Sequence, residues 1–429
     1  MAAGVSHRRF AIFVISAALV GTACTSHAAM VRVGRGERCL SIDAGLKAAQ
    51  AGDTVLVSAG AYDEHALVVD KPVVLLGRDH PVIDAREQGE IILVTHDGAT
   101  VVGFTLRNVG TSYVEDRAAI RVRNVAGVTI EDNRIENAFF GLYAEHSSHV
   151  VVRHNIIVGT AAREVSNGNG IHLWYCRDAV IEDNEIHAHR DGIYFEFVEH
   201  STIARNTSTH NVRYGLHFMF SNDDTYVDNT FAENGAGVAV MYTQHVTMIG
   251  NTFEHNWGSS SYGLLLKDIR DSEIRNNHFR RNTVALYAEG ANRIVVEENE
   301  FTTNGYAVRI MANSADNTFK HNDFIGNSFD VVTNSRQSFN TFDSNYWSEY
   351  DGYDLDGNGV GDVPYHPVRL FSLLVETSPP SIVLLESLFV TLVDTAERVM
   401  PVFTPETLVD ANPLMTAVAM GPAAQEGSR

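Results

Sequence analysis

The sequence predicts an all-β chain wound as a single-stranded right-handed parallel β-helix, and three regularities carry that prediction. An asparagine-centred phrase returns at a nearly constant interval. A glycine or alanine opens a strand after each asparagine turn, and apolar residues alternate with others along those strands. Such a constant interval is the mark of a solenoid, in which each coil stacks on its neighbour. A solenoid also removes the need for the two or three domains that 429 residues would otherwise suggest, because coils add length without thickening the core.

At the N-terminus Arg8 and Arg9 precede the apolar run FAIFVISAALVGTA, with Ser26 and Ala28 at small-residue positions. That order reads as a secretory signal peptide over residues 1–28, so the chain is exported. Past Ala28 only Cys39 and Cys176 remain, far apart and without zinc or dithiol spacing. One distant disulfide and two partly buried thiols are both compatible with them. The formal charge of -21 excludes a general nucleic-acid binder, whose phosphate contacts require positive charge.

Residues 29–70 read as a cap followed by the first strands. Ser41 is the N-cap of a short helix whose apolar stripe is Ile42, Leu46 and Ala49. A helix there would cover the open edge that a solenoid otherwise exposes. TVLVSAG and KPVVLLG are strand-like, and the regular body spans residues 71–345.

In that body TIEDNRIEN returns as VIEDNEIHA, MIGNTFEHN and TFKHNDFIGN, among others. Its asparagines are Asn133, Asn155, Asn184, Asn206, Asn229, Asn251, Asn277, Asn299 and Asn322, spaced by 22, 29, 22, 23, 22, 26, 22 and 23 residues. Coils of 22–23 residues, with insertions around 165–169 and 258–261, account for that series. Equivalent strands then stack about 4.8 Å apart, and the asparagines form a column of mutual donors and acceptors. Gly141, Gly170, Gly192, Gly215, Gly237 and Gly263 open the next strand, followed by Ala285 and Ala307. Alternation then turns Leu216 and Phe218, and their equivalents in the other coils, inward.

Their sequence neighbours face outward. One column reads Tyr143, His172, Tyr194, His217, Ala239, Leu265, Tyr287 and Arg309; the other reads Glu145, Trp174, Glu196, Met219, Met241, Lys267, Glu289 and Met311. His217 and Met219 share a face, and Met241 sits one coil from Met219. Imidazole with two thioethers suits a soft ion, and the three are candidate ligands for Cu(I). The surrounding His172, Trp174, Tyr194 and Glu196 suggest a docking face.

The closing segment, residues 346–376, contains YDGYDLDGNGVGD. Asp354, Asp356, Asn358 and Asp362 alternate as in the first half of a calcium loop, making them candidate Ca²⁺ ligands, although Tyr365 stands where the bidentate Glu would be. An Asx- and Gly-stabilised turn explains the same residues without an ion. Beyond it, residues 377–429 read as a helical, partly flexible tail. Ile382, Leu385, Leu388, Phe389, Leu392, Val393, Ala396 and Val399 form an apolar stripe too interrupted by charge for a membrane span, which points to a partner or a membrane surface.

The signal peptide, the asparagine coils and especially NYWSEYDGYDLDGNGVGDVPY resemble the NosD family through about Val375. The resemblance implies a periplasmic accessory protein for maturation of nitrous oxide reductase, working beside a copper-linked ABC transporter. It implies no enzyme. It implies as partners the reductase, a copper chaperone, and the transporter permease through the C-terminal tail, with membrane association by way of the transporter. No family motif assigns copper ligands to this chain. The sequence has no GxxxxGK[ST], so ATP hydrolysis would belong to a partner. The rival reading is a polysaccharide lyase or uronate epimerase, with His217, Glu196, Arg213 and Arg190 as candidates. Against it stands the sparse positive charge, Lys+Arg 32 against Asp+Glu 53, for a uronate substrate.

Overall fold

The structure is a computed structural model that describes residues 28–112, 114–160, 168–385, 387–399 and 408–418. The signal-peptide reading lies outside the described residues, as does most of the insertion around 165–169.

Every registered strand pair is parallel, and the strands form three sheets of 14, 13 and 12 members. Each full coil contributes one strand to each sheet. In one coil Thr202–Ala204 belongs to the first sheet, Thr207–Thr209 to the second and Tyr214–Met219 to the third. The predicted parallel β-helix is therefore the observed fold. Helix α1, Ile42–Ala48, closes its N-terminal end, and the Ser41 hydroxyl accepts from the Ala44 amide at 3.2 Å.

The asparagine turn joins the first sheet to the second. Asn206 donates its backbone amide and its Nδ2 to the Asn229 side-chain oxygen at 2.9 and 3.0 Å. Asn229 does the same to Asn251 at 3.0 and 2.9 Å. The ladder runs unbroken from Asn133 to Asn345, always donating toward the C-terminal end. A second ladder, absent from the sequence reading, occupies the next turn through Asn211, Asn234, Asn256, Asn282, Asn304 and Asn327.

The interior is apolar. Leu216 and Phe218 are fully buried, and the other inward residues of the third sheet are buried as well. The second sheet adds a column of stacked rings, Phe231, Phe253, Phe279, Phe301, Phe324 and Trp347, with successive centroids 4.1–5.8 Å apart. Glycine opens the third-sheet strands for a steric reason. A Cβ on Gly141 would lie 2.5 Å from the Gly170 carbonyl oxygen, closer than real Cβ contacts allow. Cys39 and Cys176 are both free and buried, so of the two readings open for them the unpaired thiols hold.

The C-terminal end is helical, as read for the tail, and packs in part on the body. Helix α2, Leu370–Thr377, packs Phe371 against Phe329 of the last third-sheet strand, and Glu376 pairs with Arg309 at 2.6 Å. After a 3₁₀ turn at Pro379–Leu384, helix α3 runs over Leu388–Val399. Residues 408–418 then return to the body and pair with its final strands. There the Asp410 carboxylate accepts from the Ser344 amide at 3.0 Å and the Asn345 amide at 2.9 Å. It also accepts from Asn345 Nδ2 and Trp347 Nε1, both at 3.0 Å. A ladder that donates toward its end leaves its last amides without a next coil, and an acceptor-only side chain is what completes it.

Replacing Asp410 by Ala strands those buried donors and should destabilise the final coils by roughly 2–4 kcal/mol. Asp410→Asn, which keeps one acceptor oxygen, should lose about half as much. Hydrogen exchange at the Asn322 and Asn345 amides checks this, because the loss should appear there before it reaches the coils around Asn184.

Candidate functional site

The outer face of the third sheet gathers the candidate residues. Met219 and Met241 are register partners on neighbouring strands, Tyr214–Met219 and Ala236–Met241. His217 precedes Met219 by two residues and lies on the same face. Both methionines are half-buried, but His217 is only 5% exposed. Alternation had placed it on an open column; it assigns a face and says nothing of how tall the neighbouring side chains are.

Those neighbours are aromatic and charged. Tyr143, His172, Tyr194 and His217 form an alternating column with ring centroids 4.6, 4.7 and 4.9 Å apart. The Tyr214 ring closes on His217 from the side at 4.8 Å. Beneath lies Asp191, fully buried, its Oδ2 facing His217 Nδ1 at 3.7 Å. Arg213 grips both Asp191 oxygens, Nε donating to Oδ1 at 2.8 Å and Nη2 to Oδ2. Burial alone would raise the Asp191 pKa, yet the hydrogen bonds and charge of Arg213, with His217 nearby, outweigh it and hold the carboxyl below its usual range. The sequence reading passed over Asp191, whose only signal was an acidic residue ahead of the strand-opening Gly192.

Both histidines of the column have a buried Nε2 without a hydrogen-bond partner. Asn169 Nδ2 lies 3.2 Å from His172 Nδ1. Burial pushes the His172 pKa down to about 3, so the ring is neutral. His217 turns Nδ1 toward Arg213 Nη2 at 3.4 Å and, beyond hydrogen-bond reach, Asp191 Oδ2 at 3.7 Å. Met219 is held as well: the Tyr194 hydroxyl donates to its sulfur at 3.5 Å. Imidazole nitrogen and thioether sulfur together fit a soft monovalent ion. Among the described residues no group of three or more His, Cys, Asp and Glu could hold a metal, so a site of this kind depends on the sulfurs.

A second feature flanks this one and was not read from the sequence. The residue after each second-column position turns into the left-handed region: His146 (φ 49°), Tyr175 (49°), Phe197 (55°), Phe220 (51°) and Tyr242 (57°). Their rings stack face to face at 5.3, 4.6, 5.2 and 5.1 Å, and most of them are exposed. Flanking coils fill the same position with Asn124, Asp268 and Gly290, residue types that accept this conformation readily. An aromatic residue there costs about 1 kcal/mol of backbone strain, which stacking of about 0.5–1.5 kcal/mol offsets. Folding therefore gains nothing from leaving five rings at the surface.

Of the groups named for the rival enzyme reading, Arg213 clamps Asp191, while Arg190 Nε lies 3.8 Å from that carboxylate without hydrogen-bonding to it. In the closing loop Asp354, Asp356, Asn358 and Asp362 come together, but their oxygens accept from the loop's own amides. Asp354 receives Gly357 and Gly359 at 2.8 Å, Asn358 receives Val360 at 2.7 Å, and Asp362 receives Leu355 at 2.7 Å. The Gly359 amide leads the bonds that hold the Asp354 carboxyl below its usual pKa range.

At the C-terminal end Val390 and Phe371 are buried, whereas Val383, Leu388, Phe389 and Leu392 stand 55–85% exposed. No helix among the described residues is long and apolar enough to cross a membrane.

Residues 159–352 match the family model described as "Periplasmic copper-binding protein (NosD)". A Pseudomonas aeruginosa protein named "Probable ABC transporter binding protein NosD" is 32% identical over 385 residues, 85% of this chain and 89% of the relative. A Stutzerimonas stutzeri protein of the same name is 29% identical over 377 residues, 83% of this chain and 85% of its own. Among solved structures the A-module of the Azotobacter vinelandii mannuronan C-5 epimerase AlgE6 superposes with a TM-score of 0.59 at 16% identity, covering 70% of this chain and 92% of that one. At that identity the likeness extends to the fold alone.

Proposed function

The chain belongs to the NosD family, and from that premise we propose that it is a periplasmic, non-enzymatic component that handles Cu(I) beside an ABC transporter during assembly of the copper centres of nitrous oxide reductase. The observation that carries the reading is the placing of His217, Met219 and Met241 on one outer face, with a buried imidazole nitrogen left without a partner. Soft donors of this kind release Cu(I) by ligand exchange, so transfer needs no covalent chemistry. The exposed ring ladder beside the methionines is where a copper chaperone or the reductase docks, since aromatic side chains at a surface favour partner contact.

The C-terminal end is the transporter contact. Val383, Leu388, Phe389 and Leu392 make an apolar patch at the end of a rigid body, and a permease surface would cover it. The closing loop holds a structural Ca²⁺ through Asp354, Asp356, Asn358 and Asp362, whose side-chain oxygens, Asp354 Oδ1 apart, keep a lone pair beyond those taken by amides. The Asp191 region gives the epimerase reading little support, because the Arg213 guanidinium is spent on a buried carboxylate instead of facing a substrate.

Loading the purified protein with Cu(I) under reducing conditions should give a site that a His217/Met219/Met241 triple alanine variant loses; unchanged stoichiometry and affinity would remove these ligands. Protein isolated from membranes at native abundance should bring the transporter permease with it. A Val383→Ser, Leu388→Ser, Phe389→Ser, Leu392→Ser variant should come alone, and recovery of neither transporter nor copper-enzyme chains with the unaltered protein would count against the reading. Millimolar Ca²⁺ added to metal-stripped protein should stabilise the closing segment by about 1–2 kcal/mol, taking a dissociation constant of about 10⁻⁴–10⁻³ M. Asp356→Ala should abolish that gain in thermal unfolding.

A further inference from the structure

Resting on the docking role proposed above for the ring ladder, we infer that its occupant is a basic amphipathic α-helix of the partner protein. The helix lies lengthwise along the solenoid, with its apolar stripe on the ring edges and its Lys or Arg side chains on Glu196 and Glu199.

The rings set the shape of the strip. His146, Tyr175, Phe197, Phe220 and Tyr242 lie nearly parallel, with successive planes inclined by 13°, 14°, 9° and 13°. Each inner ring therefore turns both faces to its neighbours and shows the solvent only an edge. A ligand that stacks on ring faces, such as a sugar or a base, finds only the outer faces of His146 and Tyr242. What remains is a ridge of edges notched every 4.6–5.3 Å along the direction in which the coils stack. Beside it runs a groove of 740 Å³, which the polar column Ser148, Arg177, Glu199 and Asn222 also lines.

That period selects the occupant. An α-helix advances about 5.4 Å per turn, so side chains at i, i+4, i+7 and i+11 meet successive notches. An extended strand repeats on one face about every 6.6 Å and falls out of step. Four notches cover about 20 Å, the rise of about 13 helical residues. A ridge that is apolar beside a wall that is polar suits a helix with one apolar stripe.

The carboxylates decide what flanks the stripe. Glu196 and Glu199 stand on either side of Phe197, at the middle of the ridge, and Glu199 is exposed. Nearby acids are already paired, Glu145 with Arg121 and Arg123 and Asp223 with His245. Among the described residues no cation lies within ion-pair distance of Glu196 or Glu199. Arg177 neighbours Glu199 across the coils, but its guanidinium faces Asp178 at 3.8 Å. The formal charge of -21 acts in the same sense. An anionic lipid surface and a second copy of this chain are both repelled where a basic helix is drawn in.

The left-handed backbone supplies a variant that keeps the fold. Asparagine takes this conformation readily, as Asn124 does one coil before His146, so Phe197→Asn/Phe220→Asn should unfold at an unchanged or higher temperature. The full chain is titrated with a synthetic helical peptide of about 18 residues, Leu on one stripe and Lys on both flanks, and with a twin carrying Glu for Lys. The Lys peptide should bind about 10-fold more tightly at low salt, with the difference shrinking as salt rises. Phe197→Asn/Phe220→Asn should lose about 10-fold or more of that affinity. Glu196→Gln/Glu199→Gln should bring the two peptides within about 3-fold of each other. Equal binding of the two peptides by the unaltered protein overturns the inference, and so does full affinity in the folded asparagine variant. Should that variant fail to fold, the glutamine variant and the two peptides decide. A photoreactive side chain in place of Phe220, in protein at native abundance, should capture a segment of the chaperone or reductase with an apolar stripe and basic flanks. Capture of lipid or of a second copy overturns the inference. A captured segment without that pattern removes the helix alone and leaves the docking role. Capture of those proteins only by a probe in place of Arg134, on the second sheet, removes both.

Discussion

The structure depends on one interaction repeated nine times over: an asparagine side chain whose oxygen accepts from the coil before it and whose amide donates to the coil after it. Hydrophobic burial holds the coils together but is indifferent to register, because one apolar side chain slides past another at little cost. A buried amide is not indifferent. Each asparagine that missed its partner would leave donors and an acceptor unsatisfied in a dry turn, at about 1–3 kcal/mol per group. The ladder therefore fixes rotation and stagger together. It also has a direction, and direction explains why it ends in a carboxylate: Asn345 has donors left over, Asp410 has only acceptors, and Asp330 takes the corresponding bond from Asn327 at the end of the second ladder.

Fixed register makes the outer faces columnar, and this creates the site. On an irregular sheet, two methionines 22 residues apart would meet only by chance. Here Met219 and Met241 are neighbours because their coils have equal length and the same turn. The same arithmetic puts Asp191 and Tyr194 under His217 and aligns the five left-handed aromatic residues into one stacked strip. Folding and function separate cleanly along each strand: inward residues are interchangeable apolar groups, whereas outward residues change character from coil to coil.

What was legible in the sequence follows from that separation. The first asparagine column, the glycines and the inward pairs such as Leu216 and Phe218 recur, and recurrence can be counted. The second column was equally countable, since Asn211, Asn234 and Asn256 each follow a first-column asparagine by five residues. Asp410 was not legible in the same way. It acts on Asn345 across 65 residues, belongs to no repeat, and resembles any other acidic residue in a tail. The site was half legible. Alternation put His217, Met219 and Met241 on one face, yet burial of His217 depends on Tyr194, Tyr214 and Asp191 closing around it, and side-chain height is not encoded in a period of two. Helix α2 was missed because its apolar residues answer to Phe329 at the solenoid's end and leave only a weak pattern of their own.

The rigidity that makes columns also restricts the mechanism. From the strand carrying Met219 to the last third-sheet strand, Phe329–Thr333, there are five steps across the sheet, or about 24 Å at roughly 4.8 Å each. A ladder of satisfied amides does not bend to shorten that distance. On the proposed reading, the apolar patch that meets the transporter and the donors that meet copper therefore act at separate places on a strut, its C-terminal end and its middle. An ion could not pass from one to the other along the outer face without a relay of soft donors, and the column beyond Met241 turns to Lys267 and Glu289, a cation and a hard carboxylate. Copper would then arrive and leave sideways, carried by a protein docked on the ring ladder, while the far end holds the assembly in place. On that reading the solenoid would contribute distance, presenting a small soft site to a mobile partner at a separation from the transporter set by the coils between them.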